Sequence, residues 1–216
     1  MESLMNVKYI LAKPQQELLL NRSIFRKTNK IGDVQIYKNM LYMPIGITYQ
    51  KIIPFSAFQT LNGESPKTVA MMLGSVVEDK DIEGFKPLKP FNMEKIDEPY
   101  QSMNLVNKLI ADTLLVTQHS HNRIEGNINL NKAKMLFLSI PFEPGWSAKV
   151  NGQSAELKLV NLGFTGLMLP KGNHVIELSY LPPYFYQGWT VFFIGLILYL
   201  YLVWRAYGQK IKRSRR

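Results

Sequence analysis

The chain has 216 residues, of which 26 are Lys or Arg and 16 are Asp or Glu, giving a net charge of +10. It contains no cysteine, which excludes disulfides, thiolate metal sites and cysteine nucleophiles. Six of the cations lie at the C-terminus, and the other 20 against 16 anions make an ordinary surface balance. The basic charge therefore indicates membrane topology, and we expect no nucleic-acid partner. The six are Arg205, Lys210, Lys212, Arg213, Arg215 and Arg216.

Residues 1–77 are predicted as an N-terminal strand-rich part. Three short segments rich in β-branched and aromatic residues favour strands, and these are Asn6–Leu11, Val34–Lys38 and Gly46–Lys51.

One short helix is predicted over Thr68–Leu73. Ser65 can cap it, Pro66 suits its first helical position, and Gly74 follows where a C-terminal glycine belongs. Residues 78–103 hold several prolines and glycines and a mixed charge cluster, which indicates a surface loop connecting the two halves.

Residues 104–182 are predicted as a β-sandwich or jelly-roll-like domain. Candidate strands at regular spacing, separated by turn signals, are typical of that architecture. The first three are Asp112–His119, Asn122–Leu130 and Ala133–Ile140, the last with a continuous apolar run.

Two hairpins follow in the same part of the chain. Asn151-Gly152 between Trp146–Val150 and Ser154–Val160 predicts a type I′ turn, because both turn residues tolerate a positive φ. Phe164–Leu169 and His174–Tyr180 are predicted to form the second hairpin, and the two hairpins together a meander.

An uncharged apolar run between Trp189 and Trp204 predicts one membrane crossing. Residues 184–207 reach the length of about 20 residues that a spanning helix needs, whereas a buried core helix would be shorter. Five aromatic side chains are expected at the membrane interfaces. The basic tail, residues 208–216, favours a cytoplasmic C-terminus and an extracytoplasmic N-terminal domain. The interfacial residues are Tyr184, Tyr186, Trp189, Trp204 and Tyr207.

This topology requires a means of export for the N-terminal domain. Residues 1–16 lack a charged region followed by a long apolar segment and a cleavage site. Two explanations stay open: the chain is the C-terminal piece of a larger polytopic protein, or it is tail-anchored with a cytosolic domain. The charge bias favours the first.

A series of short strings runs in order along most of the chain before the apolar helix. In that order the strings resemble the C-terminal extracytoplasmic part, with the last transmembrane helix, of the YfhO family of bacterial polytopic membrane proteins. The strings are Asn6–Leu11, Tyr37–Asn39, Met43–Gly46, Tyr49, Pro141–Trp146, Val150–Gly152, Asn161–Gly166, Gly172–His174 and Tyr180.

The resemblance implies a lipid-phosphosugar-dependent glycosyltransferase linked to glycosylation of cell-surface polymers such as lipoteichoic acid. Its acidic catalytic residues are expected on early loops between the first helices, none of which lies in this sequence. The resemblance therefore implies a non-catalytic accessory domain without a cofactor, in the bacterial cytoplasmic membrane. Its implied partners are the lipid bilayer, upstream membrane helices of the same protein or a neighbouring chain, and a cell-surface glycan or lipid-linked sugar.

Other chemistry has weak support in the sequence. His119 and His121 would share one strand face, but a third metal ligand is not evident, so no metal site is predicted. The carboxylates of residues 78–83 lie among lysines and are interpreted as a solvated cluster. Neither a nucleophilic serine motif nor a phosphate-binding glycine motif is present.

Aromatic residues beside the hairpins give the best candidate site. Phe142 and Trp146, with Glu143 and Asn151 as polar neighbours, could stack on and hydrogen-bond a sugar ring, although aromatics on strands more often form core. Other candidates for the same aromatic face are Phe164, Tyr180 and Asn161. The alternative hypothesis for the whole chain is a free-standing membrane-anchored glycan-binding or adhesion module.

Overall fold

The computed structural model describes residues 3–13, 15–16, 24–93, 96 and 102–213, with the side chains of residues 102–105 and 206–213 left out. The chain divides into two compact units, Met1–Ser179 and Tyr180–Arg216. The first unit is mainly β, as predicted, and the second carries the apolar helix.

The described part of the first half contains seven strands and two short α-helices. A 3-10 helix, Asp79–Phe85, separates the sixth and seventh strands. The elements are β1 Tyr9–Ala12, β2 Phe25–Ile31, β3 Val34–Asn39, β4 Gly46–Tyr49, β5 Lys51–Pro54, α1 Phe55–Gln59, α2 Glu64–Leu73, β6 Ser75–Val77 and β7 Lys89–Pro90.

Within the described residues, the second half contributes eight strands between two helices. β9 and β15 alternate buried and exposed side chains, as strands with one face on a core should. The elements are α3 Ser102–Leu109, β8 Leu115–His119, β9 Arg123–Leu130, β10 Lys134–Pro141, β11 Trp146–Val150, β12 Gln153–Ala155, β13 Lys158–Val160, β14 Phe164–Leu169, β15 Gly172–Tyr180 and α4 Phe185–Arg213.

Two sheets form the sandwich. One has the order β12-β11-β15-β9-β8 and the other β13-β14-β10-β4. Their facing side chains make one core, to which β9 contributes Ile124 and Ile128, β10 contributes Leu136 and Leu138, and β15 contributes Ile176. The sandwich core is therefore built from the strands predicted for residues 104–182, joined by β4 from the first half.

Strand β10 is buried on both of its faces. Leu136 and Leu138 point into the sandwich core, whereas Met135 and Phe137 belong to a second core with the first-half residues. The second core includes Tyr49, whose ring meets that of Phe137 edge-on at 5.9 Å. Burial on both faces is the physical reason for the uninterrupted apolar run in this strand.

A small parallel sheet lies on the second core. β5 pairs with β6 and with β7, in the order β6-β5-β7, and α1 and α2 connect β5 to β6. This arrangement adds an α/β layer to a fold that the sequence predicts as a sandwich with one short helix.

Residues 78–103 were predicted as a connecting surface loop, and in their described part this is wrong. The segment forms the 3-10 helix, β7 and the start of α3, and it buries Phe85, Leu88 and Phe91 in the second core. Charged residues between these anchors face solvent. The mixed composition conceals the anchors, because their spacing follows neither a helical nor a strand period.

The Asn151-Gly152 hairpin is confirmed. Both residues have positive φ, 52° and 79°, and the turn joins β11 to β12. The predicted strand Ser154–Val160, however, is interrupted. Its first part pairs with β11 in the five-stranded sheet, and its second part pairs with β14 in the other sheet.

The second predicted hairpin is wrong. β14 pairs with β10 and β13, whereas β15 pairs with β9, so Pro170 and Lys171 carry the chain from one sheet to the other. The actual hairpin partner of β14 is β13, joined through three residues with positive φ: Asn161, Leu162 and Gly163.

Helix α2 begins earlier than predicted. Gly63, with φ of 90°, is its N-cap residue, and no side chain caps it, so Ser65 lies inside the helix. Gly74 has an extended backbone with φ of −160° and leads directly into β6. It therefore does not take the left-handed conformation of a C-terminal cap.

Asn161 connects the sandwich to the parallel sheet. Its Oδ1 accepts hydrogen bonds from the Val76 N–H at 2.7 Å and from Ser75 Oγ at 3.2 Å, and its own N–H donates to the Val76 carbonyl at 2.8 Å. The side chain is buried, and its φ is 46°. An asparagine suits this position because it tolerates a left-handed backbone and supplies the acceptor.

We expect Asn161→Ala to lower the free energy of unfolding by about 2 to 5 kcal/mol. It leaves the buried Val76 N–H without an acceptor, at a cost of about 1 to 3 kcal/mol, and strains the left-handed backbone by about 1 to 2 kcal/mol. Urea unfolding of the whole chain in detergent micelles measures the change. Asn161→Gly should avoid only the backbone strain, so its loss of unfolding free energy should be smaller by about 1 to 2 kcal/mol. Exposed Asn127→Ala is the control, with an expected change within about 0.5 kcal/mol; equal effects at both positions would contradict the role of Asn161.

Candidate functional site

Three of the four predicted glycan-contact residues line one pocket. Phe142 and Glu143 lie between β10 and β11, and Trp146 begins β11. The pocket has a volume of about 280 Å³. Ser154 on β12 and Leu157, between β12 and β13, also line it. The sequence analysis did not identify these two residues. They line the pocket because the predicted strand Ser154–Val160 is interrupted between β12 and β13.

The aromatic pair in this pocket is held by the backbone. The Phe142 N–H donates to the Gly163 carbonyl at 2.8 Å, and the Trp146 N–H donates to the Glu143 carbonyl at 3.1 Å. The Phe142 side chain is 40% exposed, whereas Trp146 is half-buried and packs on the edge of the sandwich core. One ring is thus accessible and the other anchored, beside an exposed carboxylate that can accept hydrogen bonds from hydroxyl groups.

Asn151 does not join this pocket. Its Oδ1 accepts a hydrogen bond from the Val175 N–H at 2.8 Å, and its own N–H donates to the Val175 carbonyl at 2.8 Å. The residue fastens the hairpin turn to β15. It lines a different recess of about 410 Å³, together with Pro170 and His174.

Two other residues considered as neighbours of the site are structural. Asn161 is buried behind the second core, as described above. Phe164 is half-buried and lies against Phe137, with ring centroids 5.4 Å apart.

A further recess of about 420 Å³ lies on the five-stranded sheet. Asn127 and Asn129 on β9 and Asn173 on β15 line it, with Leu115 and Val175. The alternating asparagines of β9 are the signal that sequence reasoning missed, since residues two apart on a strand share a face.

The carboxylate cluster of residues 78–83 has a structural role. The Asp79 carboxylate accepts hydrogen bonds from the Ser56 N–H at 3.0 Å and from Ser56 Oγ at 2.6 Å. These two bonds hold the pKa of Asp79 below its ordinary value. Glu83 pairs with Lys86 on the surface. Asp79 thereby fastens the 3-10 helix to the start of α1.

The two candidate metal ligands do not form part of a cluster. His119 ends β8, and His121 lies in the following turn, both exposed. Within the described residues, no group of three or more His, Cys, Asp or Glu side chains is arranged to hold a metal ion.

Burial raises the pKa of the Tyr49 hydroxyl well above its ordinary value, with a smaller opposing effect from Asn161. That hydroxyl donates to the Met71 carbonyl at 2.5 Å, which links β4 to α2. A tyrosine held neutral and occupied by a backbone carbonyl is a structural anchor.

Helix α4 carries the predicted membrane crossing. Among the described residues, one helix is long and apolar enough to span a bilayer, over Phe185–Arg205. Tyr184, Tyr186 and Trp189 lie at one end with exposed side chains, and Trp204 lies at the other. The Tyr207 side chain is outside the described part. The helix continues to Arg213, so residues 208–213 of the predicted tail are helical.

Residues 88–192 match the sequence model of a family described as bacterial membrane protein YfhO. A Bacillus subtilis (strain 168) protein named "Uncharacterized protein YfhO" is 30% identical over 115 residues, which are 53% of this chain and 13% of that protein. The chain thus aligns with about an eighth of its relative's length. No solved structure matches the chain.

The two aromatic residues of the pocket should differ in what they contribute to stability. Trp146→Ala is expected to cost about 2 kcal/mol, less than a fully buried aromatic residue, because its ring packs on the core edge. Phe142→Ala should cost less than about 1 kcal/mol, because its ring is exposed. Urea unfolding of the whole chain in micelles measures both. Equal losses would show that Phe142 is a packing residue and not an accessible ring.

Proposed function

Because the chain belongs, through residues 88–192, to the YfhO family of bacterial membrane proteins, we propose that it is the membrane-anchored accessory domain of a larger polytopic glycosyltransferase. In this proposal the domain is extracytoplasmic and non-catalytic. It presents or positions a cell-surface polymer of the lipoteichoic acid type, or a lipid-linked sugar, for the membrane part. The upstream membrane helices that this requires belong to the same protein or to a neighbouring chain.

The observation that carries the glycan part of this proposal is the pocket formed by Phe142, Glu143 and Trp146. Sugar rings offer flat C–H faces and outward hydroxyls, so they suit an aromatic ring beside a hydrogen-bond acceptor. The pocket is shallow and lies on a surface connection held by backbone hydrogen bonds. Such a site fits one or two sugar units of a polymer that continues into solvent on both sides.

The charge pattern supports the extracytoplasmic placement. Six cations follow Trp204, whereas Tyr180–Trp204 has no charged residue. Lys and Arg beside a span favour the cytoplasmic side, which puts the first unit on the outer face.

Sugar binding can be tested with the fluorescence of Trp146 as the reporter. The chain has three tryptophans, so Trp189→Phe with Trp204→Phe leaves Trp146 alone. Titration with a panel of neutral oligosaccharides in detergent micelles should shift its emission in a saturable way. Phe142→Ala in this background should weaken binding about two- to tenfold, since an aromatic contact contributes about 0.5 to 1.5 kcal/mol.

Tyr9→Ala is the matched control, because it removes another exposed aromatic ring from a different sheet. It should leave the titration unchanged. If Phe142→Ala binds sugar as tightly as the parent, the sugar site lies outside this pocket. If no oligosaccharide gives a saturable response, the domain does not present a glycan, and its remaining role is to brace the membrane part.

Topology is tested by cysteine labelling, since the chain has no cysteine of its own. Ser154 lies on the exposed strand β12, and Ser214 belongs to the basic tail. In whole bacterial cells carrying the chain with any sequence that naturally precedes it, Ser154→Cys should react with an impermeant maleimide. Ser214→Cys should react only after permeabilisation. The reverse pattern would support the tail-anchored alternative and exclude the extracytoplasmic placement.

A further inference from the structure

One face of the N-terminal sheet combines cations with exposed apolar side chains. The sheet has the order β1-β3-β2, and its cross-strand register puts Tyr9, Lys38 and Arg26 in one row and Leu11 opposite Ile36 in the next. The hairpin end adds Ile31 opposite Val34. Directly opposed residues share a face, so these side chains form a single surface, here called the basic sheet face.

The charged row of this face brings two cations together. Arg26 lies directly opposite Lys38, both are exposed, and neither has an ion pair within the described part of the chain. Like charges directly opposed on a sheet are destabilising. A ligand that brings negative charge to the pair would remove this repulsion.

The apolar rows of the face are uncovered. The Leu11 and Ile31 side chains are 66% and 67% exposed, and Tyr9 is 51% exposed. The small cluster of Ala12, Phe25 and Tyr37 lies on the other side of the sheet. The exposed side chains are neighbours on one surface, unlike the scattered single apolar residues that most protein surfaces carry.

Charge is concentrated in this part of the chain. Residues 1–39 contain seven Lys or Arg against three Asp or Glu, whereas residues 40–204 contain thirteen of each. The whole excess of four cations before the basic tail therefore lies in the segment that builds this sheet. Asp33, in the β2–β3 turn, is the one acidic residue among residues 24–39.

We propose that the basic sheet face binds the surface of a bilayer that contains anionic phospholipid. Arg26 and Lys38 would pair with headgroup phosphates, while Leu11 and Ile31 enter the boundary with the acyl chains. Charge complementarity specifies an anionic surface, and the adjoining apolar rows favour a lipid bilayer over a soluble polyanion, which would leave them in water. The Asp33 carboxylate keeps the turn itself among the headgroups, so the sheet lies flat and Ile31 reaches only the boundary with the acyl chains. The face is outside the family match and does not depend on the proposed function.

The whole chain in lipid nanodiscs provides the test, because both leaflets of a nanodisc are accessible. Leu11→Cys carries an environment-sensitive nitrobenzoxadiazole probe, with Ser154→Cys as the probe control on the exposed β12 strand. Phosphatidylglycerol in the disc should shift the Leu11 probe to shorter wavelength and make it quenchable by a nitroxide lipid. Discs of phosphatidylcholine alone should not, and added salt should reverse the shift.

Arg26→Gln with Lys38→Gln should lower the ratio of lipid-bound to free probe on the order of twentyfold, at about fivefold for each cation. Lys132→Gln with Lys149→Gln removes the same charge from exposed positions elsewhere and should change nothing. The melting temperature of the first double variant should stay unchanged or rise, because its substitutions relieve repulsion.

A Leu11 probe that shows no dependence on phosphatidylglycerol would overturn the proposal. So would equal effects of the two double variants. A shift produced by soluble polyphosphate in phosphatidylcholine discs would assign the face to a soluble polyanion instead, and would also overturn it.

Discussion

The fold depends on strand β10 being buried on both sides. Side chains on one face of β10, such as Leu136 and Leu138, pack in the sandwich core. Those on the other face, Met135 and Phe137, pack in the second core beneath the parallel sheet. A strand in this position cannot be solvated on either face, so both neighbouring layers have to be present for it to form. The first half of the chain is therefore a required layer of the fold, and Asn161 and Tyr49 fix that layer to the sandwich through buried backbone groups.

This constraint explains which parts of the fold were predictable. The Asn151-Gly152 turn and the strands at β9, β10, β11, β14 and β15 depend on local chemistry, and the structure agrees with these predictions. The short strands β2, β5, β6 and β7 were not predicted, and the predicted strand Ser154–Val160 is interrupted. Pairing depends on partners far apart in sequence: β15 follows β14 directly but joins β9, because β14 is already held between β10 and β13. A turn-like connection such as Pro170–Asn173 looks alike whether it closes a hairpin or carries the chain between sheets. The prediction of a surface loop over residues 78–103 was wrong for a related reason. The three buried side chains of this segment, Phe85, Leu88 and Phe91, pack against a core that other parts of the chain build.

The candidate site shows the same division. That Phe142 and Trp146 belong together follows from their proximity in sequence, and their shared pocket agrees with it. The two asparagines assigned to the same surface instead serve the backbone, one at the hairpin turn and one at the joint between layers. Both have positive φ, which is the conformation that asparagine tolerates and most other residues avoid. From the sequence alone, an asparagine that is present because it tolerates a positive φ cannot be distinguished from one whose side-chain amide binds a ligand.

Net charge is a poor description of this chain, because the cations are segregated at its two ends. The basic tail dominates the total, and subtracting it leaves an excess so small that it looks like an ordinary surface. Averaging over the whole sequence hides the charge of the first 39 residues. There the structure aligns Arg26 and Lys38 in one row, and no acidic residue among the described positions pairs with either. Charges interact over about 10 Å at ordinary salt, so the local row, and not the total, determines what binds there. Under the proposed topology the tail meets the inner leaflet and the basic sheet face meets the outer one. Two separate anionic surfaces would then account for both groups of cations.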